Sequence, residues 1–107
     1  MAFYEVRQYV VRPGKMAEWL KMFDDEIVPF QVGKGMVIPA VFSGEEDESV
    51  FIWLRRFNSE EERVQLYKAV YEDPFWTDEM APRIGECIDR ELIQVQRVTA
   101  SGMSILQ

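Results

Sequence analysis

Near the start of the chain, Glu5, Arg7 and Tyr9 recur at every second position of FYEVRQYVV, residues 3–11. In an extended strand, a period of two lines up a carboxylate, a guanidinium and a phenol on one face. A second segment, SVFIWLRRF at 49–57, does the same with Phe51, Trp53 and Arg55. These six residues form the candidate ligand pocket: a largely apolar wall with a few convergent polar groups is the general form of a small-molecule site. Glu5 could act as a base if burial raised its pKa, and Tyr9 could take part in proton transfer. Arg7 or Arg55 could hold a carboxylate or an oxyanion. Glu5, Arg7 and Tyr9 are therefore the candidate catalytic residues. The competing reading is that Glu5 and Arg7 pair with each other, or across a subunit contact, and only fix register.

Other chemistry is scarce. The chain has no histidine, which removes the Ser-His-acid triad, the Cys-His pair, His-ligated haem and the usual zinc and iron sites. The single cysteine, Cys87, has no partner for a disulfide or a metal cluster and falls among helical core positions, as an inert thiol would. Ser59 reads as a helix cap. The acidic run Glu45-Glu46-Asp47-Glu48 lacks the spaced ligands and turn glycine of a calcium loop. Gly33 and Gly35 do not make a phosphate loop or a dinucleotide fingerprint. No cofactor and no metal are expected. Trp19, Tyr67, Tyr71, Phe75 and Trp76 fall at helical spacing and read as core.

The formal charge is −7, with acidic runs at 45–48 and 60–62 and no basic stripe. Such a surface repels nucleic-acid phosphates and anionic membranes, so neither is an expected partner. No apolar run is long enough to span a bilayer, and the N-terminus has no charged region followed by an apolar block. A cytoplasmic location is the expectation.

The elements that must position these residues alternate in type. Residues 3–11 read as a strand and Pro13-Gly14 as a turn. Met16, Trp19, Leu20, Phe23 and Ile27 mark one face of a helix over 15–32, which Pro29 should end or kink. Residues 36–43 form a second strand, with Pro39 pointing to an edge position or a bulge. Residues 49–57 form a third, antiparallel to the second across a short connection. Ser59 and Glu62 open a helix in a capping-box pattern, and Asp73-Pro74 restarts the chain into a segment that Pro82 kinks or divides. Residues 91–98 form a fourth strand. The tail 99–107 is ambiguous, though Ile105-Leu106 is apolar enough to dock. A single domain over 1–107, with core 3–98, is expected: an α+β, ferredoxin-like βαββαβ antiparallel sheet with its helices on one face.

Strands covered on one face alternate apolar with polar residues. These do not. Val50, Ile52 and Leu54 oppose Phe51 and Trp53, Val37 and Val41 oppose Ile38 and Phe42, and Leu92 and Val98 oppose Ile93 and Val95. Both faces need cover, and the chain has no spare element for the second, so a homodimer is expected. In the first strand, Tyr4, Val6, Gln8 and Val10 are the better match for the chain's own helices. Phe3, Glu5, Arg7, Tyr9 and Val11 would then line a cavity between the two copies.

The opening YEVRQYVVRPGKMAEWLKMFDDEIVP, the segment VFIWLRRFNSEEER and the stretch YEDPFW resemble, in that order, the NIPSNAP family. The resemblance runs from about residue 3 to 98. Its motif residues match as Tyr4, Glu5, Arg7, Tyr9, Pro13 and Gly14, and later as Phe57, Asp73, Pro74 and Trp76. It implies a dimeric α+β barrel but no agreed catalytic assignment. Three functions remain open: binding of a small apolar or aromatic molecule without turnover; a cofactor-free oxygenase, isomerase or lyase; and a scaffold or interaction module with a closed interior.

Overall fold

A computed structural model describes all 107 residues. Strand β1 (Phe3–Val10) leads into α1 (Met16–Met22), which runs through a π-helical turn at Phe23–Ile27 into α2 (Val28–Lys34). Strands β2 (Val37–Ser43) and β3 (Val50–Phe57) follow, then α3 (Glu60–Tyr71). A second π-helical turn at Phe75–Met80 passes into α4 (Ala81–Cys87), and a single 3-10 turn at Arg90–Leu92 precedes β4 (Gln94–Val98). The sheet is antiparallel in the order β2-β3-β1-β4. This is the split βαββαβ arrangement expected from the sequence.

The two interior prolines do not end their helices. Each follows a wide turn, in which the Val28 amide donates to Phe23 O and the Ala81 amide to Trp76 O, five residues back. Pro29 and Pro82 then sit in the first turn of the helix after it, where a missing N–H is tolerated. At the other break, Asp73 Oδ1 accepts from the Phe75 amide at 2.8 Å, and Lys34 approaches Asp73 Oδ2 at 2.8 Å. Ser59 Oγ accepts from the Glu62 amide, while the Glu62 carboxylate reaches past the cap to Asn58. Pro39 lies on an edge strand and at a bulge: between Val37 and Ala40 the register with β3 slips by one residue. The slip puts Val37 on the same face as Ala40 and turns Val41 to the other, so the expected grouping of Val37 with Val41 does not hold.

The central strands set the core. β1 and β3 pair Phe3 with Phe57, Glu5 with Arg55, Arg7 with Trp53 and Tyr9 with Phe51, so these residues share a face. That face packs on the helices. Trp19, Phe23 and Ile27 are buried against Tyr9, Phe51 and Trp53, with Met80, Ile84, Cys87 and Ile88 closing the layer. A smaller cluster joins Phe3, Met36, Phe57 and Val70. Each buried aromatic contributes about 1.5–3 kcal/mol by removal from water, and edge-to-face contacts such as Phe23 on Phe51 (4.9 Å between centroids) hold the rings at fixed angles.

This arrangement overturns the expected strand-face assignment. The Phe3, Glu5, Tyr9 and Val11 set faces the chain's own helices, and Val6, Gln8 and Val10 face away. The larger rings win the helix face, and the charges among them are tolerated because the helices supply hydrogen-bonding partners. On the far face Val6, Val10, Val50, Ile52 and Leu54 are half-buried, and Phe42, Val37 and Val98 are exposed. The C-terminal tail covers part of it. Leu106 lines a recess with Tyr4, Leu54 and Val98, and Arg56 Nε donates to Gln107 O at 3.2 Å. Ile105 stays exposed.

The α2 terminus closes in a Schellman motif, with the Gly35 amide donating to Val32 O and the Met36 amide to Gln31 O. Gly35 has φ +112°, and a Cβ there would meet Leu66 Cδ2 at 3.1 Å. Gly33, inside α2, faces open space. Gly35→Ala should therefore lose about 1–2 kcal/mol, and Gly33→Ala should gain about 0.4–1 kcal/mol, both measured by urea denaturation.

Candidate functional site

The site grows from the β1–β3 register. Because Glu5 stands opposite Arg55, the carboxylate from one strand meets the guanidinium of the other beneath the helices. Arg55 is fully buried and Glu5 nearly so. Glu5 Oε1 accepts from Arg55 Nη2 at 2.9 Å and Nε at 3.2 Å. Arg55 Nη1 donates to Gln31 Oε1 on α2 at 3.1 Å and to the Tyr71 hydroxyl on α3 at 2.7 Å, and Nη2 also donates to the Tyr67 hydroxyl at 2.9 Å. Tyr67 in turn donates to Glu5 Oε2. All five guanidinium hydrogens are used. Charges are buried at tolerable cost only when paired and hydrogen-bonded in this way.

Arg7 is differently placed. Its Nε donates to the Tyr9 hydroxyl at 3.2 Å, but its Nη1 contacts are long: 3.5 Å to Glu5 Oε1 and 3.4 Å to Tyr67. Its Nη2 donates to no protein atom, though the side chain is only 13 % exposed. The guanidinium stands 5.5 Å from the Trp53 ring centroid and 5.7 Å from that of Tyr9. The expected Glu5–Arg7 pairing is thus the weak one, and Arg55 is the carboxylate's partner.

Above this layer lies a cavity of about 230 Å³ between the sheet and the helices of the same chain. Arg7, Tyr9 and Trp53 from the sheet line it, with Trp19, Phe23, Ile27 and Gln31 from the first helical layer and Tyr67, Tyr71 and Trp76 from the second. Ile84, Ile88, Arg90 and Ile93 complete the wall. Of the six residues expected at the pocket, three therefore line it. Glu5 and Arg55 lie behind the wall as its support, and Phe51 is buried below in edge-to-face contact with Trp19 and Phe23. The pocket belongs to one chain and does not lie between two sheets.

Sequence reading missed Gln31 and took Trp19, Tyr67, Tyr71 and Trp76 for core. Tyr67 and Tyr71 are four residues apart on α3 and share its sheet-facing side, which is a signal the sequence does carry. Phe75, grouped with them, is exposed and packs on Phe30 instead.

Burial pushes the Tyr67 and Tyr71 phenols above their ordinary pKa, against the opposing pull of Arg55, so both hydroxyls stay protonated. Burial alone would lower Arg7, but the tyrosine oxygens around it more than offset this and it stays charged. Burial also raises the Cys87 thiol, as befits an inert core cysteine. The Nε1–H groups of Trp19 and Trp53 are buried without an acceptor. Each such orphan costs about 1–3 kcal/mol. No group of His, Cys, Asp or Glu side chains is placed to hold a metal ion, and no helix is long and apolar enough to cross a membrane.

A sequence model of the NIPSNAP family matches residues 4–101. No curated protein matches the sequence. Among solved structures, a NIPSNAP family protein from Agrobacterium tumefaciens strain C58 is 23% identical with a TM-score of 0.87, covering 100% of both chains. A second protein from the same strain, described as a NIPSNAP family protein with unknown function, is 22% identical at 0.88, covering 99% of this chain and 94% of its own. A Bordetella bronchiseptica protein provisionally described as an antibiotic biosynthesis monooxygenase is 16% identical at 0.68, covering 94% and 97%. At these identities the structures establish the shared fold alone.

The buried pair has a measurable signature. Glu5→Gln and Arg55→Met each strand a buried partner, so each should lose about 3–5 kcal/mol in urea unfolding. A loss below about 1 kcal/mol, the range of exposed pairs, would show that the pair is solvated.

Proposed function

The chain belongs to the NIPSNAP family, and from that starting point we propose that it binds a small, largely aromatic molecule in the cavity between its own sheet and helices, as part of a homodimer. The observation that carries the reading is the wall itself: all three tryptophans of the chain and three of its four tyrosines line one space of about 230 Å³. This lies below the roughly 300–1,000 Å³ of drug-sized sites, so a one- or two-ring molecule fits the scale.

Binding without turnover is favoured over an oxygenase, isomerase or lyase. The wall contains no carboxylate, the chain has no histidine, and the nearby Glu5 is committed on both oxygens. A general base must reach the proton it removes, and burial keeps the Tyr67 and Tyr71 phenols of the lining protonated. A scaffold with a closed interior is disfavoured by the cavity.

Tryptophan emission should report occupancy directly. Two-ring aromatic compounds such as 2-naphthol should quench it saturably and raise the melting temperature. Ile84→Phe, which fills the cavity from α4, should weaken the effect at least about tenfold, roughly 1.4 kcal/mol. Linear, unsaturable quenching by every such compound would sink the pocket reading.

The dimer rests on the far sheet face, where Val6, Val10, Ile52, Leu54 and Phe42 present more apolar surface than the tail covers. Light scattering at micromolar concentration should give about twice the 12.6 kDa chain mass. Ile52→Lys should give single chains of unchanged helicity. Wild-type protein running at one chain mass would refute the dimer.

A further inference from the structure

We infer that the molecule taken up by the cavity is an anion: a one- or two-ring aromatic acid whose carboxylate is received by Arg7. The inference rests on the pocket reading above and adds the charge of the ligand to it.

Charges and hydrogen-bond donors exceed their partners at this wall. Two guanidinium groups, Arg7 and Arg55, share one buried carboxylate. Arg55 takes Glu5 through two short contacts and spends every remaining N–H on Gln31, Tyr67 and Tyr71. Arg7 is left with a 3.5 Å contact to a carboxylate already neutralised, and with both Nη2 hydrogens free. A unit of positive charge therefore remains at the cavity wall. No acidic side chain lines that wall, and Arg90 adds a second cation to it, held by a hydrogen bond to the Ala81 carbonyl.

The spare polar groups share one polarity. The Tyr71 and Tyr9 hydroxyls accept from Arg55 and Arg7, leaving their own hydrogens to give. Gln31 has its oxygen taken by Arg55, so its amide hydrogens are what it can offer. A ligand completing this wall must bring acceptors, and a carboxylate suits the planar fork of a guanidinium. A cationic ligand is the alternative that an aromatic box invites. It is disfavoured because Arg7 already stands over the Tyr9 and Trp53 faces and nothing in the wall would neutralise a second cation.

The test uses three ring-matched probes at pH 7.5: 2-naphthoate, neutral 2-naphthamide and 2-naphthylmethylammonium, each titrated by calorimetry and tryptophan emission. Wild type should bind the acid at least about tenfold more tightly than the amide, as a charge-assisted pair in a desolvated site requires, and should not bind the ammonium compound measurably. Arg7→Met should bring acid and amide within about twofold of each other, mainly by loss of affinity for the acid, while Arg7→Lys should keep part of the preference. Because the Glu5–Arg55 pair stays intact, Arg7→Met should unfold at the same urea concentration as wild type or a higher one. Equal affinity for acid and amide in wild type would overturn the anion inference and leave the pocket reading standing. So would an acid preference that survives Arg7→Met, or a collapse of that variant, which would show Arg7 to be structural. Failure of both acid and amide to bind would sink the pocket reading itself, and this inference with it.

Discussion

The buried Glu5–Arg55 pair is the constraint on which the rest of the structure turns. Arg55 has no exposed surface, so each of its hydrogens must find an acceptor within the protein. Those acceptors come from β1, α2 and α3, three elements far apart in sequence. The guanidinium therefore fixes the rotation of both helical layers over the sheet as well as the pairing of two strands. A shift of β1 against β3 by one residue would face Glu5 with Leu54 or Arg56 and leave a charge buried alone. Hydrophobic contact is tolerant of small slides; a five-donor network in a dry interior is not.

The same network explains why a cavity survives above it. Trp19, Phe23, Trp53, Tyr67, Tyr71 and Trp76 meet at steep angles and cannot interdigitate as aliphatic chains do. The phenols are tied to Arg55 and cannot swing in to fill the gap. The wide helical turns before Pro29 and Pro82 carry Phe23, Ile27 and Trp76 on the surface that borders the space. Packing that holds a void open at a site with unsatisfied donors is the kind of local conflict that functional sites tolerate.

Much of the fold was legible because its signals are local. Runs rich in aromatic and β-branched residues marked the strands, the Met16-to-Ile27 stripe marked the first helix, Ser59 and Asp73 marked two starts, and Pro39 marked an edge strand with a bulge. The helix over 15–32 was legible, but the wide turn at Phe23–Ile27 that carries it through Pro29 to Lys34 was not. The site was legible as a set of residues and misplaced as a location. Two apolar faces alternate equally well in either phase, and neither the pattern nor the β1–β3 register says which one meets the helices; the packing does. The Glu5–Arg55 partnership depends on that register and so escaped reading from either strand alone. Gln31 escaped for a related reason: a glutamine on a helix reads as solvated until the arginine beneath it is known.

The two sheet faces divide the work by side-chain shape. The helix face carries rings and charges, which pack imperfectly and satisfy one another through directed hydrogen bonds. The far face carries Val6, Val10, Val50, Ile52 and Leu54, branched side chains that make a flat, close-packing surface. Because β1 and β3 contribute to both, a change in pairing would disturb the two faces together. Side-chain substitutions should not, since adjacent residues on one strand point to opposite layers. The cavity is walled by one chain alone, so cover on the far face adds stability without supplying any part of the wall. In a chain of this size, whose single core leaves a narrow margin of stability, that separation lets the helix face keep a weakly paired guanidinium and a void while the opposite face packs branched side chains.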